Sequence, residues 1–196
     1  MSGQLRVPFV PTPETVVRRM LTLANVKAGE TIYDLGAGDG RILSSAVRDF
    51  GAKAVGVELH ASRYASIAER IRRERLGDYV RLIRADFLDV NLSGADVVTL
   101  YLLPSVNTLM KRKLEAELRP GARVVSHDFP IHGWVASYAE KIRDPYGTHM
   151  IYLYEVPGSW QRRLRRLAQP IQVSHFTNRR SQPLSEASSR DTLMLA

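Results

Sequence analysis

Three glycines in alternation, set directly after a short strand, constrain this chain more than any other feature. Thr31-Ile32-Tyr33-Asp34-Leu35 alternates toward strand and ends in Gly36-Ala37-Gly38-Asp39-Gly40. The next stretch, Arg41 to Phe50, carries Ile42, Leu43, Ala46 and Val47 at helical spacing. A strand that turns through glycines into a helix is built to hold a ligand. Glycine permits the sharp turn and lets a ligand approach the backbone, and the helix start leaves N–H groups free.

The same rhythm continues along the chain. Thr12-Pro13-Glu14 opens a first helix, with Thr12 as cap, Pro13 in the first helical position, and Val16, Val17, Met20, Leu21 and Ala24 on its inner face. Ala54 to Leu59 is a second strand, nearly all apolar, as expected when helices cover both sheet faces. A helix follows over Ala61–Arg75, then a third strand over Tyr79–Ile83 and a fourth over Asp96–Tyr101. Val106–Leu118 is helical, Arg123–Asp128 is a fifth strand, and the stretches Trp134–Arg143 and His149–Val156 predict an antiparallel pair at one sheet edge. The fold class is α/β: a Rossmann-like, doubly wound, mostly parallel sheet of the seven-stranded kind.

Chemistry gathers at the ends of these strands. Gly36-x-Gly38-x-Gly40, with Arg41 next, misses the Gly-x-Gly-x-x-Gly spacing that seats a pyrophosphate on a helix. Asp34 sharpens the point, because a carboxylate there repels a phosphate and attracts an ammonium or sulfonium. S-adenosyl-L-methionine, zwitterionic and free of phosphate, fits better than a nicotinamide dinucleotide. Glu58, 18 residues past Gly40, is placed to accept the two ribose hydroxyls, with Leu59 beside it. Asp86 follows the third strand and can accept from an adenine amino group, with Phe87 to pack on the ring. Tyr101 ends the fourth strand, where open α/β sheets hold their reactive centre. The expected cofactor contacts are therefore Asp34, Gly36, Ala37, Gly38, Glu58, Leu59, Asp86, Phe87 and Tyr101.

Composition narrows the classes. The chain has 196 residues, enough for one domain with a real core, and 44% of them are hydrophobic. It has no cysteine, so disulfides, thiolate zinc sites and a cysteine nucleophile are excluded, and no metal site is expected. No apolar run reaches a membrane span, and the first residues lack a signal-peptide core, so a cytoplasmic protein is expected. Of the net charge of +8, most comes after Val156, where seven arginines face only Glu186 and Asp191. Residues 1–156 form the expected catalytic domain. Residues 157–196 form a basic tail with a short amphipathic helix near Trp160–Leu167 and a Ser- and Arg-rich, partly disordered end.

At these residues the chain resembles the class I methyltransferases, and within them a lysine-modifying group. Arg6-Val7-Pro8-Phe9-Val10-Pro11-Thr12-Pro13, then Asp34 to Ile42, then Leu118-Arg119-Pro120-Gly121-Ala122-Arg123-Val124-Val125-Ser126-His127-Asp128-Phe129-Pro130 are similar to the archaeal broad-specificity protein lysine methyltransferases. They also resemble the methyltransferases of the ATP synthase c-subunit and of the adenine nucleotide translocase. The resemblance implies that Val10-Pro11-Thr12 folds over the methionine end of the cofactor, adding Pro11 and Thr12 to the contacts. It implies protein lysine side chains as substrate, and a monomer is expected. Tyr101-Leu102-Leu103-Pro104-Ser105-Val106-Asn107 departs from the group's pattern.

A lysine amine has an ordinary pKa of about 10.4 and must lose its proton before it attacks. A narrow, partly apolar channel would promote that by desolvation. Tyr101, Pro104 and Ser105 are the expected lining of such a channel, with Asp128 or His127 on its far wall. The alternatives are an RNA methyltransferase using the tail arginines, a small-molecule methyltransferase, and a non-catalytic cofactor-binding module. The first lacks the Asn/Asp-Pro-Pro-Tyr arrangement associated with base amino groups. The second usually brings a lid or long insertion, and the connections here are short.

Overall fold

The computed structural model describes residues 9–156. The expectations for residues 1–8 and for the basic tail at 157–196 lie outside them. Eleven elements follow in chain order: α1 (Glu14–Leu23), β1 (Thr31–Leu35), α2 (Arg41–Phe50), β2 (Lys53–Val57), α3 (Ala61–Arg73), β3 (Val80–Ile83), β4 (Val97–Leu100), α4 (Pro104–Glu117), β5 (Arg123–His127), β6 (Tyr138–Asp144) and β7 (Gly147–Glu155).

The strands form one sheet in the order β3-β2-β1-β4-β5-β7-β6. β1 to β5 are parallel, β7 runs antiparallel to β5, and β6 closes the edge antiparallel to β7. The strand order reverses between β1 and β4. That reversal opens a crevice at their carboxyl ends, where ligands of such sheets bind.

Strand residues alternate between two cores. Val97 and Val125 pack under α1, α2 and α3, while their neighbours Val98 and Val124 pack under α4. Successive side chains point to opposite faces, so a strand covered on both sides must be apolar throughout. All four residues of β4 are buried, three of them apolar, and the one polar residue, Thr99, has its hydroxyl hydrogen-bonded to Asp34.

Local differences from the sequence expectation have physical causes. Thr12 does not cap α1, since Pro13 takes the cap position and no side chain caps the helix. The Thr12 hydroxyl is instead 3.1 Å from His127 Nδ1, a long-range bond that no local signal reveals. α4 starts at Pro104 rather than Val106, because proline suits an N-terminal position. β6 starts at Tyr138 rather than Trp134. Gly133 has a φ of 81° there, and the Trp134 ring turns into the core edge-on to Tyr154, centroids 5.4 Å apart. No helix among the described residues is long and apolar enough to cross a membrane.

Candidate active site

The crevice at the strand reversal is a cavity of about 830 Å³. Its floor is the turn from β1 to α2. Gly36 and Ala37 donate their N–H groups to Val57 O at 2.9 Å each, which pins the turn to β2. Gly38 has a φ of 61°, and a Cβ there would stand 2.6 Å from Phe9 Cε2. Glycine at this position lets the segment before α1 lie directly across the turn. The Arg63 guanidinium lies over the Phe9 ring, 5.8 Å from its centroid.

Three carboxylates face this cavity. Asp34 is fully buried, and burial pushes its pKa up to about 7, opposed by the Thr99 hydroxyl that donates to Asp34 Oδ1 at 2.8 Å and reinforced by the charges of Asp39 and Glu58. Partial burial works to raise Asp39, but hydrogen bonds from the Arg41 side chain and backbone prevail and hold it below the usual carboxylate range. Glu58, only 4% exposed, accepts from Gly38 N at 3.1 Å, from His60 N at 2.8 Å and from Arg63 at 3.1 Å. A cavity with this floor suits a cation and a diol and disfavours a phosphate.

Of the residues singled out from sequence, Pro11, Thr12, Asp34, Gly36, Ala37, Gly38, Glu58, Leu59, Phe87 and Tyr101 line the cavity. Asp86, Pro104 and Ser105 are not among its lining residues. The Asp86 carboxylate accepts from Leu88 N at 2.9 Å in the turn after β3. Pro104 and Ser105 are exposed on the first turn of α4, outside the cavity lining. Phe9, Arg41, His60, Arg63 and Arg84 line the cavity without having been singled out. Their signal is weak, because a lone arginine or aromatic in a loop carries no spacing rule.

Tyr101 stands at the junction between this cavity and a polar wall. Its hydroxyl donates to Asp128 Oδ2 at 3.1 Å, and burial, with help from the Asp128 charge, pushes its pKa up to about 12. Its ring lies 3.9 Å from the His127 ring, centroid to centroid. Burial lowers the pKa of His127 to about 4, against the pull of Asp128, so this histidine is neutral. Asp128 adopts a φ of 58°, rare for a residue other than glycine, and is held by Met150 N donating to its Oδ1 at 2.9 Å.

Comparison with known proteins agrees with this geometry. A family described as the ANTKMT methyltransferase domain matches residues 34–138. Over 157 residues the chain is 45% identical to a protein-lysine N-methyltransferase of Saccharolobus islandicus (strain REY15A), spanning 80% of this chain and 98% of that protein. It is 35% identical over 158 residues to the adenine nucleotide translocase lysine N-methyltransferase of Mus musculus, spanning 80% of this chain and 66% of that one. Among solved structures, an RNA methyltransferase from Salinibacter ruber in complex with S-adenosyl-L-homocysteine matches with a TM-score of 0.70 and 40% identity, over 76% of this chain and 94% of that chain. The chain therefore belongs to the ANTKMT methyltransferase domain family of S-adenosylmethionine-dependent α/β enzymes.

Proposed function

We propose that this chain transfers methyl groups from S-adenosylmethionine to lysine side chains of proteins. The observation that carries the reading is the identity of 45% to a protein-lysine N-methyltransferase across nearly the whole of that protein, on a fold whose crevice suits a cationic, phosphate-free cofactor. In this reading Glu58 takes the ribose hydroxyls and Phe87 packs beside the base. Gly36, Ala37, Gly38 and Leu59 shape the walls, and Asp34 attracts the cationic methionine end, which Pro11 and Thr12 cover. Asp86 contributes by fixing the turn that presents Phe87. A cytoplasmic location and a monomeric state complete it.

When bound, S-adenosylmethionine supplies an electrophilic methyl on sulfur, and the lysine nitrogen bonds to that carbon as the carbon–sulfur bond breaks. The chain's own residues orient the amine and exclude water. Tyr101 cannot serve as a phenolate base near neutral pH with its pKa at about 12. Its proton is committed to Asp128, so its oxygen lone pairs remain free to accept from the incoming ammonium and align it. The His127 ring, 3.9 Å from that of Tyr101, holds the phenol in place from behind. Desolvation beside these aromatic faces lowers the ammonium pKa and releases the proton to solvent.

The second reading, RNA methylation, is favoured by one observation: the Salinibacter ruber protein, described as an RNA methyltransferase, is 40% identical. The discriminating experiment is methyl transfer to an acceptor protein before and after acetylation of its lysines. Acetylation is expected to abolish transfer. Undiminished transfer to the acetylated acceptor would overturn the lysine reading.

A further inference from the structure

Beside Tyr101, outside the residues that line the cavity, two histidines and a carboxylate converge. His127 Nε2 is 3.0 Å from His149 Nδ1 and 3.4 Å from Asp128 Oδ2, and His149 Nδ1 is 3.6 Å from the same oxygen. The fold assembles this triangle deliberately. Consecutive strand residues point to opposite faces, so His127 and Asp128 should diverge. The positive φ at Asp128 turns its carboxylate back to the histidine's side. Across the sheet, His127 pairs with Ile151, and His149 lies two residues earlier on β7, hence on the same face.

We propose that His127 Nε2, His149 Nδ1 and Asp128 Oδ2 form a site for one divalent transition-metal ion of the zinc class. Donors about 2.0–2.1 Å from one such ion stand roughly 3.0–3.4 Å apart, close to the separations in this triangle. Two imidazoles and a carboxylate are the donor set that zinc accepts, with water in the remaining position.

The outer nitrogens are arranged as in metal sites. His127 Nδ1 meets the Thr12 hydroxyl at 3.1 Å, and His149 Nε2 faces Asp144 Oδ1 at 3.5 Å. Such outer partners fix the ring of a ligating histidine and raise its basicity. The charge balance points the same way. Asp128 and Asp144 contact no arginine or lysine among the described ion pairs, only these histidines. The Asp144 side chain is 3% exposed, and its Oδ2, like His149 Nε2, has no hydrogen bond. Backbone N–H groups of Met150, Tyr146 and Gly147 and the Tyr101 hydroxyl meet part of the need of these two carboxylates, but no arginine or lysine among the described residues offsets their charge, and a divalent ion would. The ion would tie the ends of β5 and β7 to the segment before α1. The inference does not depend on whether the acceptor is protein or RNA.

The test uses the full chain, stripped with a chelator and titrated with zinc chloride in a calorimeter, with circular-dichroism melting alongside. One equivalent should bind with Kd below about 1 µM. At a hundredfold excess over Kd the melting temperature should rise by about 5–10 °C. His149→Gln and Asp128→Asn should each weaken binding at least about tenfold to a hundredfold. Should either variant fail to melt cooperatively, X-ray absorption on the zinc-loaded wild type decides, and two imidazoles in the first shell are expected. Absence of tight binding, equal binding by wild type and folded variants, or a first shell without two imidazoles would each overturn the site.

Discussion

Asp34 lies buried at the carboxyl end of β1 with its pKa raised to about 7, and that shift has consequences of definite sign. An unfolded aspartate titrates at about 3.9, so between there and about pH 7 the folded protein binds the extra proton. The contribution of Asp34 to stability is therefore fully present below about pH 4 and is lost as pH rises through about 7. Cofactor affinity moves the other way, because a cation prefers the ionised carboxylate. Calorimetry should show S-adenosylmethionine binding tightening by up to about tenfold per pH unit between about pH 5 and 7, then levelling. Asp34→Asn should bind with a flat profile, bind more weakly at pH 8, and melt higher than wild type there without cofactor. A sloping profile in the variant would assign the effect to another group. Tyr101→Phe keeps the ring against His127 and removes the oxygen that aligns the amine. Its kcat should fall about tenfold to a hundredfold while the cofactor Kd stays unchanged. Asp34 and Glu58 were legible in the sequence because strand ends and glycine spacing point to them. Thr12 bonding to His127 across 115 residues was not, since only the sheet order brings them together. Pro104 and Ser105 lie exposed on the first turn of α4 and outside the cavity lining, because sequence shows proximity along the chain, not the direction in which a helix turn faces.

Among the elements, the join between β1, α2 and β2 sets the shape of the site. Gly56 lies in the middle of β2, and a Cβ there would meet Leu43 Cδ1 at 2.5 Å and Leu82 Cδ1 at 3.1 Å. Its absence lets α2 sit close enough for its N-terminus to border the cavity. Gly56→Ala should cost about 1–3 kcal/mol in urea unfolding through overpacking, and should also weaken cofactor binding by tilting the helix. An alanine variant as stable as wild type would show that α2 has room to shift. The helices and strands themselves were largely evident from periodicity, and α2 and β1 have the expected bounds. Boundaries drifted where a chain reversal depends on tertiary packing. The clearest case is Trp134, where an aromatic that favours strand is drawn into the core instead.

For the whole molecule, the reversal between β1 and β4 defines a crevice lined by the loops that follow β1, β2, β3 and β4 and by the segment before α1. An open mouth of this kind admits a long, flexible side chain presented by a large partner. The order of elements showed the parallel part of the sheet from sequence alone. It could not show that β7 would insert between β5 and β6, nor that His149 would thereby reach His127. The central claim is methyl transfer to protein lysine, and one measurement tests it most directly. Labelled S-adenosylmethionine is incubated with a protein extract and with total RNA, using wild type beside Asp34→Ala, and the modified residues are located by mass spectrometry. Label on lysine in protein, lost with the variant and absent from RNA, is the expected result. Label in RNA with none on lysine would contradict the account.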